Sequence, residues 1–200
     1  MSLENVSRET VDRLREFEDI VLKWTPKINL VSRQDQAVVW DRHIQDSLQI
    51  FDAAPDQFRH WLDIGSGGGF PGIVVAIMAQ ASNPAATVTM VESDSRKAAF
   101  LRAALRKTET RARVIIDRIE NVEAQSADVV SARALADLPS LLDLAYPHLA
   151  PEATCVFAKG AKWRIELATA KSKWKFNHTV VTSNLDPDAA ILCIRELSRA

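Results

Sequence analysis

Residues 63–72 read DIGSGGGFPG and hold five of the chain's six glycines, directly after the apolar Trp61 and Leu62. An acid on a strand, a glycine turn and a following helix that begins Ile73, Val74, Val75, Ala76 make a nucleoside-binding element. Glycine permits positive φ and lets backbone approach a ligand, and the start of the helix offers unpaired N–H groups. Asp63, Gly65, Ser66, Gly67, Gly69 and Phe70 are therefore candidate ligand contacts. Gly67, Gly69 and Gly72 also satisfy the G-x-G-x-x-G spacing of dinucleotide sites. Two residues favour S-adenosyl-L-methionine instead. The Asp63 carboxylate can accept from the ammonium or ribose end of a zwitterion but repels a pyrophosphate. Pro71 removes one N–H donor that a pyrophosphate would use.

Other chemistry-bearing residues lie further along the chain. Glu92 ends an apolar run 20 residues after Gly72, where a carboxylate can bind ribose hydroxyls; the competing role is a solvated acid capping the next helix. Asp117, Arg118, Ile119 and Glu120 follow another such run, where adenine would lie, and a plain turn is the alternative. Ser131, Ala132 and Arg133 leave a fourth run, facing the methyl donor. Arginine stays protonated and is a poor general base. Arg133 thus suits an acceptor with a ready lone pair, whose site needs alignment and charge stabilisation; a surface pair with Asp128 or Asp137 competes. Lys159 opens a basic stretch with Lys162, Arg164, Lys171, Lys173 and Lys175, and a second basic region runs from Arg96 to Arg118. Phosphate binding and a solvated face are both open for these. Trp163, Leu167, Ala170 and Trp174 share a helical face that reads as packing.

Positioning these groups requires alternating elements. Residues 7–24 carry a helical stripe of Val11, Leu14, Phe17, Ile20 and Val21, and a second helix is expected over 36–52. Strands are expected at 60–64, 87–92, 113–117, 128–131 and 154–158, with helices near 72–80, 94–107, 138–148 and 161–173. Strands at 177–182 and 190–196 would complete the sheet. Such alternation predicts a parallel, doubly wound α/β sheet, with ligands beyond the carboxyl ends of its strands. One domain is expected, with residues 1–59 a helical extension and residues 60–200 the core.

The 200 residues carry a net charge of −1, so binding to a nucleic acid would rest on a local patch. Cys155 and Cys193 sit in apolar runs and read as buried thiols of a reducing compartment. Cys155 faces no base and is given no catalytic role. With no apolar run of membrane-spanning length and no leader pattern, a cytoplasmic protein without membrane contact is expected.

Taken together and in this order, residues 24–30 (WTPKINL), 42–48 (RHIQDSL), the glycine loop, Arg118 to Glu120, residues 131–134 (SARA) and Lys159 with Gly160 resemble the RsmG family, also called GidB. The resemblance implies a class I S-adenosylmethionine-dependent methyltransferase fold, Rossmann-like, with a seven-stranded, mostly parallel sheet and an N-terminal helical extension. It implies methylation of N7 of a guanine in the 530 loop of 16S ribosomal RNA. The expected partner is 16S ribosomal RNA or the small ribosomal subunit, an assembly intermediate included, and a monomer is expected. By the same resemblance, Gly65, Phe70, Ile119, Glu120 and Arg133 touch the cofactor and Glu92 its ribose. Arg133 and Lys159 line the guanine pocket, with Arg118 close by. Asn29, His43 and Asp46 match polar positions of the family; His43 and Asp46, three apart on one helical face, either close the site over the methionine end or belong to a capping and packing network that joins those helices to the sheet. Where the family often has an arginine before its last strand, this chain has Ala189 and Ala190. Methylation of a small molecule or protein, and RNA binding without turnover by an assembly factor, are the alternatives.

Overall fold

The computed structural model describes residues 6–200. The first helix, α1 (Arg8–Ile28), starts where the Ser7 hydroxyl accepts from the Thr10 N–H at 3.2 Å. It buries Leu14, Phe17 and Val21. It continues past the expected end near Trp24, through Pro26, to Asn29, whose N–H bonds the Thr25 carbonyl at 2.9 Å with φ 48°. Packing explains the extension, because Trp24 stands edge-on to Phe100 at 5.7 Å and holds that last turn down.

The second helix is composite rather than continuous. A 3-10 turn (Asp35–Val38) and a π turn (Trp40–Ile44) precede α2 (Gln45–Ala53). The wide π turn re-aims side chains that a regular helix would carry elsewhere. Trp40 lies under Arg15 at 3.4 Å, while His43 faces Phe70 with ring centres 5.1 Å apart.

Seven strands form one sheet: β1 (His60–Ile64), β2 (Thr87–Val91), β3 (Arg113–Ile115), β4 (Ala127–Arg133), β5 (Leu149–Lys159), β6 (Trp174–Thr182) and β7 (Ala190–Arg199). Their order is β3-β2-β1-β4-β5-β7-β6, with β7 antiparallel between β5 and β6 and β1 to β5 parallel. Helices α3 (Gly72–Ser82), α4 (Ser95–Lys107), α5 (Leu138–Ala145) and α6 (Trp163–Ala170) intervene in sequence. The chain reverses its direction of winding between β1 and β4. That switch point opens a crevice at the carboxyl ends of those strands.

Three apolar clusters fix this arrangement. Phe17, Phe70, Ile73 and Phe100 join α1 to α3 and α4. Phe58, Trp61, Val75 and Val156 fill the space beneath α2 and α3, and Leu141, Phe157, Leu167 and Trp174 fill that beneath α5 and α6. Trp163, Leu167, Ala170 and Trp174 are accordingly packing residues, although Trp174 begins β6 rather than ending the helix. Both cysteines are free and buried, and burial pushes the Cys155 thiol up to about 12. No described helix is long and apolar enough to cross a membrane.

Phe17 is fully buried between Phe70, at 5.0 Å, and Phe100, at 6.5 Å. Phe17→Ala is expected to cost about 3–5 kcal/mol, read as a lower urea midpoint with an unchanged slope.

Candidate active site

Three recesses follow one another along the crevice. A small one of about 100 Å³ is lined by Gly65, Arg118, Ile119, Glu120 and Leu135. It shares Gly65 and Leu135 with a central cleft of about 470 Å³ that includes Leu30, Ser32, His43, Ser66, Gly67, Phe70, Glu92 and Arg133. The cleft shares Arg133 and Ala134 with a third recess of about 380 Å³, lined also by Asp46, Lys159, Lys162, Glu166 and Ala189. The order suits an adenine, then a ribose with its sulfur-bearing tail, then a methyl acceptor.

Glu92 anchors the central cleft. One carboxylate oxygen accepts from the Gly67 N–H and the other from the Asp94 N–H, both at 2.7 Å, so the acid ties the glycine loop to the start of α4. Asp94 itself caps α4 and is held down to about 2 by the Arg96 side chain. Gly65 has φ 68°, and a β-carbon there would stand 2.6 Å from the Leu135 side chain.

Asp63 takes a different place from the one its spacing suggests. It is 1% exposed, beneath the loop. Ser131 donates its hydroxyl to Oδ1 at 2.7 Å, and Trp61 donates its indole N–H to that hydroxyl at 2.8 Å. A β-carbon at Gly72 would meet Asp63 Oδ2 at 2.6 Å, so only glycine lets α3 start this close. Burial pushes the carboxyl up to about 6, against the hydrogen bonds that lower it. The direct ligand contact expected of Asp63 is thus replaced by support of the loop from below. Ser131, expected to face the methyl donor, is fully buried in the same chain of bonds.

Arg133 stands where cleft and recess meet. It pairs with neither Asp128, which binds Arg59, nor Asp137, which caps α5. Its Nη2 donates to His43 Nδ1, and its Nη1 is buried with no partner among the described residues. Burial and the Arg133 charge push His43 down to about 4, so the ring is neutral and can accept. His43 Nε2 lies 3.7 Å from Asp35, which accepts from Ser32 at 2.6 Å and Arg42 at 3.0 Å. Burial pushes the Asp46 carboxyl up while the Arg133 charge pulls it down.

Lys159 is half-committed elsewhere. Its Nζ donates to the Ala136 carbonyl at 2.6 Å and pairs with Glu166 at 2.7 Å, and Glu166 also accepts from the Leu138 N–H at 2.9 Å. The lysine lines the recess while fastening the loop after β4. Arg118, expected beside it, lies instead in the small recess. Asn29 lines a separate groove, and Gly69 faces Phe17 and Ile73 rather than the cleft. Asp35 and Leu135 were not singled out from sequence; only the position of Leu135 after the switch strand offered a signal.

The profile of the GidB family, described as rRNA small subunit methyltransferase G, matches residues 10–189. This chain belongs to that family. Ribosomal RNA small subunit methyltransferase G of Ruegeria sp. is 50% identical over 98% of this chain and 95% of its own length. The protein of that name from Gluconobacter oxydans is 46% identical over 97% of each. Among solved structures, an O-methyltransferase from Bacillus cereus in complex with SAH has TM-score 0.60 at 15% identity, covering 90% of either chain. M. jannaschii TYW2 in complex with AdoMet has TM-score 0.56 at 15% identity over 82% of this chain and 79% of its own. These likenesses match the GidB chain to the methyltransferase fold with its seven-stranded, mostly parallel sheet.

Two consequences are measurable. Valine at Gly65 would clash with Leu135 and strain the backbone, so Gly65→Val should abolish S-adenosylmethionine binding in calorimetry. Asp63 has a raised folded pKa, so its native form holds more protons than the unfolded chain, and its contribution to stability falls as pH rises. Between pH of about 4 and 7 the wild type should lose up to about 3 kcal/mol relative to Asp63→Asn. His43 titrates in both proteins and cancels. Urea unfolding at each pH reads the difference, and a flat one contradicts the assignment.

Proposed function

We propose that this GidB-family chain methylates N7 of a guanine in the 530 loop of 16S ribosomal RNA, using S-adenosyl-L-methionine. The observation that carries this reading is the buried Arg133 Nη1, unpartnered among the described residues, at the junction of cleft and recess. A buried donor left without a partner is costly, and the Hoogsteen edge of guanine offers two adjacent acceptors, O6 and N7. Donation to O6 would orient the base and leave the N7 lone pair free.

The residues present fit the cofactor. Gly65 leaves the space a β-carbon would fill, Ser66, Gly67 and Phe70 line the cleft, and Ile119 with Glu120 flank the small recess. Gly65, Ile119 and Glu120 would hold adenine, Glu92 the ribose, and Arg133 with His43 the methionine end. When bound, S-adenosylmethionine supplies a methyl group on a positively charged sulfur. No residue need remove a proton from N7. The neutral His43 ring keeps Arg133 aimed, and Asp46 on the recess wall can accept from the amino group of the base. Lys159 holds the loop that follows Arg133 and adds positive charge near the entering nucleotide.

A monomer in the cytoplasm is the state proposed with this reading. Residues 1–59 would then be an extension of the single domain formed with residues 60–200, contributing Leu30, Ser32, His43 and Asp46 to the walls of cleft and recess. Methylation of a small molecule is less well supported, since Lys159 and Lys162 line the recess next to the cofactor cleft.

Labelled S-adenosylmethionine, incubated with small-subunit RNA or particles and followed by mapping of the product, tests the proposal. Label on no RNA nucleotide would sink it. Arg133→Ala should lower methyl transfer at least tenfold with an unchanged circular dichroism spectrum and urea midpoint.

A further inference from the structure

Beside the cofactor cleft lies a second groove, of about 710 Å³, lined by Thr25, Pro26, Lys27, Asn29, Arg33 and Arg96 among others. It lies between the last turn of α1 and the first turn of α4. Three of its lining residues are cations and none is an acid. Arg96 is held by Asp94 at 3.0 Å. Lys27 and Arg33 are exposed, and neither has an ion-pair partner among the described residues. This concentration of charge stands out in a chain of net charge −1. A locally basic groove on a neutral protein is the footprint of a polyanion.

Its place is equally specific. Asn29 and Arg33 line the groove, while Leu30, Val31 and Ser32 between them line the cofactor cleft. Arg96 faces the groove and the next residue, Lys97, faces the cleft. Groove and cleft therefore share two walls, the 29–33 segment and the start of α4. The 29–33 segment is fixed at both ends, by the Asn29 cap on α1 and by the Ser32–Asp35 hydrogen bond. Arg33 on that fixed segment and Lys27 in the last turn of α1 form a preset track rather than a mobile fringe.

We infer that this groove seats the phosphodiester backbone of the substrate RNA next to the target nucleotide, with Lys27 and Arg33 contacting phosphates. The inference rests on the rRNA methyltransferase reading. It explains Asn29 as the residue that sets the track, and it divides labour between two regions. Arg133 and the recess receive the base; the groove holds the strand.

The test uses the full chain with Lys27→Gln and Arg33→Gln combined, and Arg59→Gln as a control on the amino-terminal side of β1. Filter binding of a 16S RNA fragment over a salt series reads phosphate contacts directly. Loss of two contacts should flatten the plot of log Kobs against log salt by about 1.4 on a single strand, and raise the RNA KM at least tenfold. The kcat and the calorimetric affinity for S-adenosylmethionine should stay within twofold of wild type, and the control should keep the wild-type slope. An unchanged slope and KM in the double variant would overturn the inference, as would an equal loss in the control. Failure of the wild type to label RNA at all would refute the functional reading instead, because the salt slope is read without turnover.

Discussion

The contact between Arg133 and His43 is the interaction on which the rest of the site depends. It joins the end of the switch strand β4 to the π turn of the N-terminal helices, 90 residues apart in the chain. Its strength comes from an asymmetry of charge. The guanidinium remains charged, while burial and that same charge keep the imidazole neutral and able to accept. If His43 were protonated, two cations would face one another and this contact would be lost. The aromatic layer beneath, Phe70 against His43 and Phe17, fixes the ring plane that the contact needs.

The sheet was legible because each strand is a short apolar run set between turn residues and helical stripes. β1 falls on the expected residues 60–64, and the order of elements matches throughout. What sequence could not supply was direction. Asp63 and Glu92 both end strands beside the loop, yet register pairs Asp63 with Ser131 and buries it, while Glu92 reaches the cleft. Period and spacing do not distinguish those outcomes, since both acids have the right type at the right distance. The composite second helix was hidden for a related reason. A π turn changes the angular position of His43 without changing the apolar pattern around it.

Lys159 illustrates a further limit. Its place after β5 identifies it as a wall of the acceptor recess, and the structure agrees. Its ammonium, however, is engaged by the Ala136 carbonyl and by Glu166, the one acid within the basic stretch that it opens. A buried, paired lysine works through the loop it fastens as much as through its own charge. The loop in question carries Ala134 at φ 52° and Leu135 against Gly65, so it forms the boundary between all three recesses.

The grip of Glu92 on two backbone N–H groups has a thermodynamic consequence. Its bonds to Gly67 and Asp94 are made within the protein itself and order the loop and the helix start. The conformational entropy of that segment is therefore surrendered during folding rather than during association. Affinity gained in this way comes from rigidity and not from added contact.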